Sequence, residues 1–166
     1  MNLNSYAHSI IRHSFVIRHW AFDIPFPFQT LDNSFAIRMR EPCYAASAAV
    51  WSMAERGEIE ACISAISFNN VYYVVRKWSG RKAAEQALRC LRDVFVPVAP
   101  DARILNQAMD SGMDDFEDAI QCFSAIRAGA AFLVTRNPTH FRTVRGGVPV
   151  LTPEEFLTVS QRKTHS

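Results

Sequence analysis

The sequence predicts an α/β domain in which helices alternate with parallel strands, and three observations carry that prediction. Ala131-Phe132-Leu133-Val134 is apolar throughout, as a strand buried on both faces of a sheet must be. Further short apolar runs, Glu60-Ala61-Cys62-Ile63, Val94 to Val98 and Val148 to Leu151, are separated by segments of helical periodicity rather than by hairpin turns. At 166 residues, with 49% apolar and 20% charged residues, the chain suits one domain with a sizeable core, and it shows no internal repeat.

Residues 1–40 are the least regular. Phe15-Val16-Ile17 and Trp20-Ala21-Phe22 have strand character, Asp23 follows directly, and Pro25 and Pro27 break any regular element. Pro42 suits a first helical position, and Ala46, Ala49, Val50 and Met53 space a helix that Gly57 stops. After the Glu60–Ile63 strand, Ser67 opens a helix through Asn70, Tyr73 and Val74 to Trp78, closed by Ser79-Gly80. A further helix turns Ala84, Ala87, Leu88 and Leu91 inward. Pro97 places the Val94–Val98 strand at a sheet edge or near a strand end. Asp101 caps a short helix through Ile104, Leu105 and Ala108 that ends at Gly112. Thr152-Pro153-Glu154-Glu155 supplies cap, first-position proline and capping-box glutamate for a closing helix, with a frayed tail from Ser160.

Composition narrows the function classes. A formal charge of +2 excludes a polybasic tail, so any nucleic-acid surface is a local patch. Arg outnumbers Lys 15 to 3. Cys43, Cys62, Cys90 and Cys122 form no CxxC pair, which points to free thiols in a reducing cytoplasm rather than disulfides or zinc. No run reaches the ~18 apolar residues of a membrane span. The first 22 residues carry Arg12 and Arg18 and no acid, a faint likeness to a transit peptide, but Ile10 to Phe22 reads as a buried strand or helix.

Chemistry concentrates between Asp110 and Asp118, where five of the 16 acids fall. A helix from about Asp115 to Ala128 would place Phe116, Ala119, Ile120, Phe123 and Ile126 on an apolar face. Glu117, Gln121, Ser124 and Ala128 would then face solvent. Asp115 and Asp118 head a third stripe completed by Cys122, Ala125 and Gly129. Two readings of these acids stand side by side. Asp114 or Asp115 caps the helix and the others favour its positive end; or two carboxylates one turn apart converge on a hard divalent cation. Thr135-Arg136-Asn137 follows the buried strand, at the carboxyl edge where open α/β sheets bind ligands. His140 reads mainly as a surface or packing histidine. A phosphoacceptor receiver domain would also gather acids at a sheet edge, but Lys77, Lys82 and Lys163 all lie outside the position such a domain requires.

Asp115-Phe116-Glu117-Asp118-Ala119-Ile120-Gln121, Arg127-Ala128-Gly129-Ala130, Leu133-Val134-Thr135-Arg136-Asn137, Phe141 and Val150-Leu151-Thr152-Pro153-Glu154-Glu155-Phe156 resemble, in order and spacing, the C-terminal half of a PIN domain. Arg40-Glu41-Pro42 and Ile63 to Tyr73 resemble the first half of its VapC-like branch. The likeness spans about residues 38–157, leaving 1–37 as an atypical N-terminal segment and 158–166 as a tail. It implies a three-layer fold, a central parallel sheet with helices on both faces. It also implies Mg²⁺- or Mn²⁺-dependent RNA cleavage, often by the toxin of a type II toxin–antitoxin pair. RNA, an antitoxin protein and a second copy of the chain are the partners it implies.

By position, the resemblance makes Asp118 and Asp115 metal ligands, with the amides Asn70 and Asn137 standing where many relatives carry acids. Arg136, Arg142 and Arg145 would contact RNA phosphates. The family's first strand ends Asp-Thr-Asn, and this motif is absent. Counting back from Arg40-Glu41-Pro42, Asp32 matches the family's second acid and Phe26 stands in place of the first. Asp23 would substitute only with a three-residue insertion. The same resemblance therefore accommodates a catalytically inactive PIN fold that acts by binding an antitoxin or RNA.

Overall fold

The computed structural model describes residues 43–141 and 147–164, together with the backbone of Phe15–Arg18. In chain order the elements are β1 (Phe15–Arg18), α1 (Cys43–Glu55), β2 (Ala61–Ser64), α2 (Ala65–Val94), β3 (Val96–Val98), α3 (Ala102–Met109), α4 (Phe116–Arg127), β4 (Phe132–Thr135), a 3-10 turn (Pro138–Phe141), β5 (Val150–Leu151) and α5 (Pro153–Thr164). The five strands form one sheet in the order β3-β2-β1-β4-β5. Every pairing is parallel.

The strand nearest the N-terminus lies in the middle of the sheet. It pairs with β2 through Phe15 opposite Ala61, and with β4 from Phe15 opposite Phe132 to Arg18 opposite Thr135. Pro97 lies on β3, which among the described residues pairs only with β2 and forms one margin of the sheet. A residue with no N–H is tolerated there because it has one ladder to serve rather than two.

Residues of β4 alternate between two packed clusters, as side chains on a strand must. Phe132 and Val134 join Val50 and Trp51 of α1, Val71 and Leu91 of α2, and Phe156 of α5. Leu133, between them, packs with Cys122 and Ala125 of α4 and with Phe141. A third cluster joins α3 to α4 through Ile104, Ala108, Ala119 and Ile120.

The punctuation read from sequence operates as local chemistry. Gly80 (φ 82°, ψ 175°) interrupts α2, where the sequence separates two helices. The Asp101 carboxylate accepts the Ile104 N–H at 2.9 Å. Gly129 (φ 65°) ends α4, and the Ala130 N–H reaches back to the Ala125 carbonyl at 3.0 Å, a Schellman closure. Before α5, the Glu155 N–H donates to Thr152 Oγ1 (3.2 Å) while the Thr152 N–H donates to Glu155 Oε2 (2.8 Å). Both halves of the capping box are made. The helix then continues to Thr164, so the segment from Ser160 that reads as frayed is helical.

The acidic helix corrects the sequence reading. Phe116 and Ile126, assigned to the apolar face, are 48% and 39% exposed, while Gln121 and Ser124, assigned to solvent, are 1% and 0% exposed. The buried face is built of Asp118, Gln121, Cys122, Ser124 and Ala125, flanked by Ala119 and Ile120. Small and polar residues allow close approach to the sheet, and Ser124 Oγ meets Ser64 Oγ at the end of β2 at 3.2 Å. Bulky Phe116 and Ile126 are left on the outer side.

Candidate functional site

One helix delivers the site's acids and one turn faces them. Asp115 is the N-cap of α4: its carboxylate accepts the Asp118 N–H at 3.0 Å. The capping reading of this residue is therefore a fact of the geometry, and the residue is exposed. Asp118 lies one turn in and is 1% exposed. Burial of a carboxylate is costly unless a charge or hydrogen bonds compensate it.

The turn after β4 supplies part of that compensation. Thr135, 0% exposed, accepts the Asn137 N–H through its hydroxyl at 3.1 Å. Asn137 in turn accepts the His140 N–H through its carbonyl at 3.2 Å. This tight chain of contacts sets His140 Nδ1 3.1 Å from Asp118 Oδ2, with the imidazole half-exposed above the buried acid. Asp118 thus sits at the carboxyl edge of the sheet, the position at which α/β folds place their ligands.

Beside it lies an amide-held carboxylate. Asn70 Nδ2, in the first half of α2, donates to Glu117 Oε1 at 2.6 Å. Gln121 Nε2 donates to the same oxygen at 3.0 Å. The oxygen of that Gln121 carboxamide is buried and has no hydrogen-bond partner among the described residues.

The structure therefore brings Asp118 and Asp115 together through the cap, carries Asn70 to the same helix through Glu117, and places Asn137 in the turn that bears His140. Arg136 is half-buried at the end of β4. Asp32, Arg142 and Arg145 lie outside the described residues, as do Asp23 and Phe26. Glu117, Gln121 and His140 are the participants that the sequence reading placed elsewhere. The signal for the first two was their spacing of four on one helix, which makes them neighbours on whatever face is buried.

A family model for the PIN domain matches residues 35–139. The chain belongs to the PIN-domain family. The fold is accordingly of nuclease type, and PIN domains typically depend on a divalent metal. The match begins after the segment in which no family motif is recognisable. No curated protein matches the chain.

Whether this PIN domain's residues suit such a metal is decided by donor chemistry. Asp118, Glu117 and Asp115 offer carboxylate oxygens and Gln121 a buried carbonyl oxygen, all hard donors of the kind Mg²⁺ and Mn²⁺ take. Among the described residues, no three His, Cys, Asp or Glu side chains group closely enough to hold an ion by themselves. Mg²⁺ is commonly held by one or two carboxylates and otherwise by water and substrate phosphate, so the donor set fits.

Proposed function

We propose that this PIN domain is a Mg²⁺- or Mn²⁺-dependent ribonuclease, the toxin of a type II toxin–antitoxin pair of the VapC-like branch. The observation that carries the reading is Asp118, a carboxylate 1% exposed at the carboxyl edge of a parallel sheet in a nuclease-type fold. Asp118 and Asp115 would hold the metal, joined by Asp32. When bound, the ion supplies an activated water and neutralises charge that builds on the phosphate.

The protein's own groups have separate tasks in this reading. Asn70 and Asn137 orient water and side chains without adding charge. Arg136, Arg142 and Arg145 hold the RNA phosphates. His140, facing Asp118 at 3.1 Å, keeps that carboxylate in one orientation. The alternation of Phe132 and Val134 against Leu133 supports a three-layer arrangement with helices on both faces of the sheet. Free thiols at Cys90 and Cys122 favour a reducing cytoplasm, and no helix among the described residues is long and apolar enough to cross a membrane. An antitoxin protein and a second copy of the chain are the proposed protein partners.

The test is Asp118→Asn in the full chain, which should abolish Mn²⁺-dependent cleavage of single-stranded RNA while circular dichroism stays unchanged. Undiminished cleavage by the variant would remove Asp118 from the mechanism. A second reading, a catalytically inactive PIN fold that binds RNA or an antitoxin, is favoured by one observation. Arg18, and not an acid, ends the central strand opposite Thr135. Wild-type protein that binds RNA but leaves it intact in Mn²⁺ would establish that alternative.

A further inference from the structure

We propose that Glu117 carries the second negative charge of the cation site, taking over the role of the acid that position 70 lacks. The inference rests on the metal-site reading of Asp118. Asn70 presents no charge of its own, but its amide reaches Glu117 Oε1 at 2.6 Å and fixes that carboxylate next in sequence to Asp118. Gln121 fixes it from the other side at 3.0 Å. Two neutral amides converging on one carboxylate oxygen orient the group without neutralising it, and the other oxygen is left for a ligand.

Two features separate this from an ordinary polar staple between helices. Glu117 forms no ion pair among the described residues. The decisive feature is Gln121, 1% exposed, whose Oε1 has no hydrogen-bond partner among the described residues although its Nε2 is spent on Glu117. A buried carbonyl oxygen beside a carboxylate is a pair of hard oxygen donors of the kind a divalent cation or its bound water takes.

The experiment is Mn²⁺ titration of the full chain by calorimetry, with wild type, Glu117→Gln, Asn70→Ala and Asp118→Asn compared. Gln at 117 keeps the acceptor oxygen, so both amide hydrogen bonds persist and charge alone is removed. The expected result is Mn²⁺ affinity reduced ~10–100-fold in Glu117→Gln and ~10-fold in Asn70→Ala, with thermal unfolding of Glu117→Gln unchanged. Wild-type affinity in Glu117→Gln alongside lost binding in Asp118→Asn overturns the role of Glu117 and leaves the Asp118 site standing. Lost binding in Glu117→Gln with wild-type affinity in Asp118→Asn keeps Glu117 and overturns Asp118. Wild-type protein that takes up no Mn²⁺ overturns both.

Discussion

Asp115 has a structural task that is separable from any chemistry. Its carboxylate satisfies the Asp118 N–H, one of the donors that a helix start leaves without an intrahelical partner. Asp115→Ala should lower stability by about 1 kcal/mol in urea unfolding, in the absence of any metal. A matching loss with Asp115→Asn would be unexpected, since the amide oxygen still caps. Cys122 provides the clearest pH dependence. Burial against Leu133 and Ala125 pushes its thiol from the ordinary 9.0 up to about 11. Between those values the unfolded chain has released a proton that the folded chain retains, so stability is full below about pH 9 and falls as pH rises toward 11. The slope from this group is at most ~1.4 kcal/mol per pH unit. Urea melts from pH 8 upward should therefore show wild type losing more stability than Cys122→Ala over the alkaline interval.

At the level of elements, Gly80 makes one long helical stretch into two. Its φ of 82° is the reason, because nothing lies within 4 Å of where a Cβ would stand. Gly80→Ala should thus cost about 1–2 kcal/mol through backbone strain alone, seen as a lower denaturation midpoint with an unchanged m-value. Such punctuation was legible in the sequence: the break at Gly80, the Asp101 cap, the Thr152–Glu155 box and the buried strand before Thr135 all depend on residues within a few positions of one another. The buried face of α4 was not. Hydrophobic periodicity nominated Phe116 and Ile126, whereas the face is chosen by what it meets. Ser124 is matched by Ser64 on β2, and Glu117 by Asn70 on α2, partners far away in the chain. Helix-to-sheet packing at close range favours small side chains, and periodicity alone cannot report which stripe is small for that purpose. The same distance hid His140, which meets Asp118 only after β4 has crossed between them. Asp118 was nominated by the family pattern of its neighbours, while its burial is a finding of the structure.

The molecule as a whole carries a formal charge of +2, so it has no long-range field that would hold a polyanion indiscriminately. If Arg136, Arg142 and Arg145 grip RNA, the footprint is a local one of three contacts. The slope of log affinity against log salt should then be about −2 for a single strand, since each neutralised phosphate contributes roughly −0.7. A slope near zero in a filter-binding or anisotropy titration would remove these arginines from the interface. A far steeper slope would point to a larger basic surface than these three arginines.

The placement of Pro97 has a bearing on how the protein keeps its own copies apart. A sheet whose strands all run one way ends in two rows of backbone groups that invite a further strand. Here one row belongs to a three-residue strand with an imino acid at its centre, and the other to Val150–Leu151, only two residues long. Among the described residues neither margin offers a long run of free donors and acceptors, so these two edges are poor templates for adding a strand from another copy.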